Sequence, residues 1–174
     1  MNTIYFLISL PKSGTTSLCR MADICGLKSL HVLKNISLVS ALNQNYNFFA
    51  DTPFYSPEFL IGLLEFEIQK KYNIKFIYSH RSKNDHKKSL EKMYLNWNIP
   101  NPSNKICLLD HILHNKLKKY DNDNHYLYIE TISKIYGINL LNYNFSEGWS
   151  SFCQFIEKPI PQHPMPHLNK SCLN

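Results

Sequence analysis

Ile4-Tyr5-Phe6-Leu7-Ile8-Ser9-Leu10-Pro11-Lys12-Ser13-Gly14-Thr15-Thr16-Ser17 is the stretch that decides the fold. Its first five residues are apolar and rich in strand formers, and they read as a buried parallel strand. Pro11 and Gly14 break that strand. A helical pattern runs from Thr15 to about Cys25 and is closed by Gly26. Strand, glycine-bearing turn and helix make the arrangement of a phosphate-binding loop. Backbone N–H groups must surround the anion, and the positive end of a helix must face it. Gly14 lets the backbone approach closely. Ser13, Thr15 and Thr16 add hydroxyls, and Lys12 adds a cation. The pattern is not GxxxxGK[ST]. Thr15 stands where that lysine would be, and Lys12 lies two residues before the glycine. A plain strand-to-helix turn with a Ser/Thr cap also accommodates the stretch.

Outward from the loop, strands and helices alternate. Lys28 to Val32 reads as a second strand, and Ile36, Val39 and Leu42 as one face of a helix. Asn47 to Ala50 reads as a third strand, ended by Asp51-Thr52-Pro53. Pro57 suits the first position of a helix that carries Phe59, Leu63 and Phe66. Lys75 to Ser79 is a fourth strand and Lys83 to Trp97 a helix. Ile106, Leu109, Leu113, Leu117 and Tyr120 mark another helix face, and 121–137 is helical. Ile138 to Phe145 is a fifth strand, Trp149 to Glu157 a last helix, and a proline-rich tail follows. The alternation predicts an α/β fold with a mostly parallel sheet of roughly five strands. With no repeat or linker in view, 1–174 reads as a single domain.

The net charge of +6 suits an anionic ligand. Its lysines come as scattered pairs, Lys70-Lys71, Lys87-Lys88 and Lys118-Lys119, which read as solvated helix faces. No nucleic-acid partner is expected. Arginine is scarce, with only Arg20 and Arg81. The five cysteines form no CxxC pair, so a reducing compartment fits better than a disulfide framework. The apolar run Ile4 to Leu10 is too short to span a bilayer and lacks a basic leader. A cytoplasmic protein without a membrane span is expected. His111 and His114 lie off the Leu109/Leu113/Leu117 face and read as a solvated flank, not as metal ligands.

Two further sites bear on chemistry. Arg81 follows the fourth strand directly, with Asp85 four residues on and Ser89 eight. The carboxyl end of that strand faces the same crevice as the loop. A guanidinium grips phosphate bidentately, which lysine cannot do. A surface arginine paired with Asp85 is the alternative. Asp51 ends the strand expected beside the first, near Lys12, where a carboxylate could take a proton from an attacking hydroxyl. Asp before Thr-Pro is equally a turn signal. His31 is the rival base.

Pro-Lys-Ser-Gly-Thr-Thr at 11–16 resembles the 5′-phosphosulfate loop of the sulfotransferase superfamily. Ser17-Leu18, Leu27 and His31 resemble the sulfotransferase-like branch, as does the Asp-x-Pro of Asp51-Thr52-Pro53. So does the closing pattern of Trp149, Cys153, Phe155, Lys158-Pro159, Pro161, Pro166-His167 and Asn169. The resemblance touches 4–31, 47–55, 75–90 and 146–170. At Ser17 many cytosolic members carry a tryptophan that stacks on adenine, and Lys83 replaces a common proline.

The resemblance implies a three-layer P-loop NTPase-like fold. It implies transfer of a sulfuryl group from 3′-phosphoadenosine-5′-phosphosulfate (PAPS) to a hydroxyl or amine of a small-molecule or glycan acceptor. Lys12 would hold the oxygen bridging phosphate and sulfate, and Ser13, Gly14, Thr15 and Thr16 would cradle the 5′-phosphosulfate. Arg81 and Ser89 would hold the 3′-phosphate, Asp51 would be the base, and no metal would be required. The rivals are a P-loop nucleotide or small-molecule kinase and a catalytically silent nucleotide-binding protein. The displaced lysine and the scarcity of arginine for a lid argue against the kinase.

Overall fold

The computed structural model describes residues 2–33, 36–65, 68–89 and 122–166. Five parallel strands form one sheet in the order β2-β3-β1-β4-β5. They are β1 (Asn2–Leu7), β2 (Ser29–Leu30), β3 (Phe48–Ala50), β4 (Tyr72–Ser79) and β5 (Asn139–Tyr143). The helices are α1 (Thr15–Ile24), α2 (Leu38–Asn43), α3 (Pro57–Glu65), the single turn α4 (Ile68–Lys71), α5 (83–89), α6 (Asn122–Tyr136) and α7 (Trp149–Ile156). A 3-10 turn, Phe145–Glu147, joins β5 to α7. The α/β reading with a five-stranded parallel sheet therefore holds. The expected helix through Ile106 to Tyr120, the part of 83–97 beyond residue 89, and His111 and His114 lie outside the described residues.

Side chains alternate across a strand, so β1 feeds two cores. Tyr5 and Leu7 pack with Leu18, Met21 and Ala22 of α1 and with Trp149, Phe152 and Ile156 of α7. Ile4, Phe6 and Ile8 pack with Ala41 of α2, Leu60, Leu63 and Leu64 of α3, and Ile129 and Ile132 of α6. The result is three layers, helices on both faces of a sheet apolar on both sides. Phe6 is fully buried, with ring centroids of Phe49 and Phe54 at 5.5 and 5.2 Å.

The helix ends follow their local chemistry. Gly26 takes φ 79° after α1. Gly26 N–H bonds Asp23 O at 3.0 Å, and Leu27 N–H bonds Ala22 O at 2.9 Å. That pair closes the helix as the sequence predicts. Before α3, Ser56 Oγ accepts from Phe59 N–H at 3.3 Å, with Pro57 in the first position. On α7, Lys75 of β4 donates to Phe155 O at 3.2 Å and pairs with Glu157 at 2.6 Å, tying the end of the last helix to the sheet. Cys19, Cys25 and Cys153 are free thiols, with 3.8 Å between the Cys25 and Cys153 sulfurs. Among the described residues no helix is long and apolar enough to cross a membrane.

Candidate functional site

The carboxyl ends of β1 and β4 lie side by side, with Leu7 opposite Ile77. β1 is also where the strand order turns back, and a crevice there is the usual ligand position in open α/β sheets. A cavity of about 410 Å³ opens at this end. It is lined by Ser13 and Gly14 after β1, His80, Arg81, Ser82 and Asp85 after β4, and Asn144 and Phe145 after β5.

Residues 11–14 form the turn between β1 and α1. Lys12 and Gly14 both adopt left-handed backbone, at φ 69° and 85°. Gly14 is the N-cap of α1 and makes no side-chain cap. The plain Ser/Thr-capped turn is thereby excluded: Thr15 is already helical, and its hydroxyl is engaged elsewhere. The first turn of a helix carries N–H groups without intrahelical partners, and its positive end faces out. Here the first helical bond is Leu18 N–H to Gly14 O, at 3.1 Å.

Three consecutive loop carbonyls are held from the β4 side. His86 Nε2 lies 2.8 Å from Pro11 O. Arg81 Nη1 donates to Lys12 O at 2.6 Å, and Ser79 Oγ donates to Ser13 O at 2.7 Å. In a trans peptide the C=O and the following N–H point in opposite directions. Drawing these carbonyls toward β4 therefore turns the N–H groups of Lys12, Ser13 and Gly14 away from it. Ser13 N–H bonds back to Leu10 O at 3.3 Å. The Ser13 hydroxyl is buried and has no hydrogen-bond partner among the described residues. A phosphate oxygen in the adjoining cavity would supply the acceptor that it lacks.

Gly14 is also a steric requirement. A Cβ there would clash with the edge of the Phe145 ring, 2.6 Å from Cζ. Phe145 is fixed by the 3-10 turn and by edge-on contact with Tyr143, at 5.3 Å between centroids. Sequence periodicity carried the fifth strand through Phe145. The strand ends at Tyr143 instead, where Asn144 caps the turn by accepting from Ser146 N–H at 3.0 Å.

On the other side of β1, the ends of β2 and β3 bring His31 and Asp51 to the loop. His31 Nε2 lies 3.0 Å from Thr15 Oγ1 and 3.2 Å from Thr16 Oγ1. Asp51 Oδ2 lies 3.5 Å from both Thr15 Oγ1 and His31 Nε2. The two rival bases are thus neighbours sharing one threonine. Asp51 has φ 62°, and its main-chain carbonyl closes a turn with Phe54 N–H at 2.7 Å across a cis Thr52-Pro53 bond. The turn uses the carbonyl and leaves the carboxylate directed at Thr15, His31 and Thr52. Asp51, expected to approach Lys12, makes its side-chain contacts with Thr15, His31 and Thr52.

Asp85 accepts from Ser82 Oγ at 2.7 Å, and its own N–H bonds Ser82 Oγ at 3.2 Å. Ser82 thereby caps α5, its hydroxyl oxygen accepting from the Asp85 amide. Ser89 is half-buried on α5 and does not line the cavity. Ser79, His86 and Phe145 are the contributors that sequence reasoning missed. His86 is buried, and desolvation, together with the Arg81 charge, depresses its pKa against the Pro11 hydrogen bond. Among the described residues no group of three or more His, Cys, Asp or Glu could hold a metal ion.

Residues 114–172 match the family model described as a sulfotransferase domain. The matched span contains α6, β5, the 3-10 turn and α7, and it stops short of the loop and Arg81. The match supports membership of the sulfotransferase superfamily. No curated protein matches the chain.

Proposed function

We propose, from the likeness of residues 114–172 to a sulfotransferase domain and from the geometry of the site, that this chain moves a sulfuryl group from PAPS to a hydroxyl or amine acceptor. The observation that carries the reading is the meeting, in one crevice, of two features suited to phosphate. The loop 11–14 lies at the positive end of α1, and Arg81 lies beside it on the adjoining strand end.

The residues fit such a donor. Ser13 carries a buried hydroxyl in need of an acceptor. Gly14, as N-cap, leaves the amide end of α1 without a capping side chain. Bound there, PAPS supplies an activated sulfuryl group with a phosphate leaving group. Lys12, Ser13, Gly14, Thr15 and Thr16 would surround the 5′-phosphosulfate. The Lys12 ammonium would stabilise charge gathering on the bridging oxygen. Arg81 lines the cavity beside the loop, and a guanidinium there suits a 3′-phosphate. Ser89 would assist from α5. Asp51 would accept the acceptor proton, with His31 orienting it or replacing it. The acceptor would be a small molecule or a glycan.

Thermal-shift titration separates this reading from its rivals. 3′-Phosphoadenosine 5′-phosphate should stabilise the protein more than magnesium ATP does. The reverse order would indicate a kinase. Binding without turnover across a panel of hydroxyl and amine acceptors would indicate a silent nucleotide binder.

A further inference from the structure

We infer that His86 is a positioning residue for the phosphate loop, fixing the Pro11–Lys12 peptide through the Pro11 carbonyl and so holding the turn at Lys12. The reading of that anion as a nucleotide rests on the proposed function; the positioning of the peptide does not. A carbonyl oxygen only accepts, so at 2.8 Å from Pro11 O the Nε2 atom of His86 must carry the proton. Pro11 and His86 are both buried, so the bond has little competition from water. Burial and the charge of Arg81 keep the ring neutral, which suits a fixed tautomer.

The position of His86 separates it from ligand contact. Arg81 and Ser82 line the cavity, but His86 does not. It reaches the loop as the first member of a series. His86, Arg81 and Ser79 take the carbonyls of Pro11, Lys12 and Ser13 in turn. The left-handed backbone at Lys12 is costly for a residue with a side chain, so it has to be held by its surroundings. Arg81 would share its guanidinium with a ligand, leaving His86 and Ser79 as the constant part of the clamp.

The test compares the full chain with His86→Leu and His86→Gln by backbone amide order parameters and by titration with 3′-phosphoadenosine 5′-phosphate. Leucine fills the space without a donor, and glutamine restores an N–H. In wild type the amides of residues 12–14 should be rigid, near about 0.85. In His86→Leu they should fall toward about 0.6 or below, with β1 and β4 unchanged. Nucleotide affinity should drop on the order of tenfold, matching one lost hydrogen bond. His86→Gln should recover both. Loop amides that stay rigid in His86→Leu overturn the inference. So does mobility spread equally through β1 and β4, or a failure of glutamine to restore the loop. If wild type binds no nucleotide, the functional reading falls, and the order parameters alone decide the role of His86.

Discussion

Arg81 donates through Nη1 to the main-chain oxygen of Lys12 at 2.6 Å. One cation therefore shapes the loop proposed for the 5′-phosphosulfate while standing where a 3′-phosphate would be held. The two halves of the proposed nucleotide site are mechanically joined.

Arg81→Lys should consequently weaken every nucleotide that uses the loop, and 3′-phosphorylated nucleotides most. A charged hydrogen bond is worth roughly 1.5–3 kcal/mol, or on the order of 10- to 100-fold in affinity. Titration with 3′-phosphoadenosine 5′-phosphate and with adenosine 5′-phosphosulfate measures the difference. Equal losses would confine Arg81 to its loop contact.

Lys12→Ala and Asp51→Asn should fail in different ways. Lys12 belongs to the loop, so its loss should reduce both nucleotide affinity and turnover. The Asp51 carboxylate faces Thr15 and His31 from the end of β3. Its amide variant should keep nucleotide affinity and lose rate by on the order of 10²–10⁴-fold. Retained rate would leave Asp51 as a turn residue, and His31→Gln would then be the variant expected to lose rate.

Gly14→Ala should destabilise the protein through two separable effects. Left-handed backbone costs an alanine roughly 1–2 kcal/mol, and the new methyl must also displace the Phe145 ring. In the double variant with Phe145→Ala the steric part should vanish and the backbone part persist. Chemical denaturation of Gly14→Ala, Phe145→Ala and the double variant gives both terms. An unchanged midpoint in Gly14→Ala would mean that the loop does not hold this conformation.

His86 and His125 should make the protein acid-sensitive. Burial is the main cause lowering both pKa values, and Arg81 lowers His86 while His86 lowers His125. Each ring nonetheless keeps a backbone contact, to Pro11 and to Tyr55. Folded pKa values below the unfolded one mean that the unfolded chain binds more protons, so stability rises with pH. The contribution is complete above about 6.5 and is lost as pH falls from there through the depressed values. Urea midpoints should fall between pH 7.5 and 5.5, and His86→Gln with His125→Gln should flatten the change.

Much of this architecture was legible because it is written in local pattern. Ile4 to Ile8 announces a strand with two buried faces, Gly26 a helix end, and Pro57 a helix start. Arg81 could be found because it follows a strand directly. The clamp was not legible, because its bonds join residues 66 to 75 positions apart. His86 lies in a stretch between Lys83 and Lys88 that reads as solvent-facing, and only packing turns it inward. Phe145 hid at the end of an apolar run whose periodicity continued past the true strand end. The single turn α4 is too short to show a period. Strand order predicted that Asp51 would come toward the loop, but it could not say which side chains its carboxylate meets there, Thr15 and His31.

Lys75 and Tyr5 stand out on a sheet that is apolar on both sides. Sliding β1 by one residue would exchange Ile4, Phe6 and Ile8 for Tyr5 and Leu7, with no large change in greasiness on either face. Hydrophobic patterning alone leaves that slip cheap. The polar tips make it costly: the Tyr5 hydroxyl donates to Ile156 O at 3.3 Å, and the Lys75 ammonium reaches Phe155 O and Glu157, all at the end of α7. Two otherwise unremarkable side chains thus tell the strands which way is up.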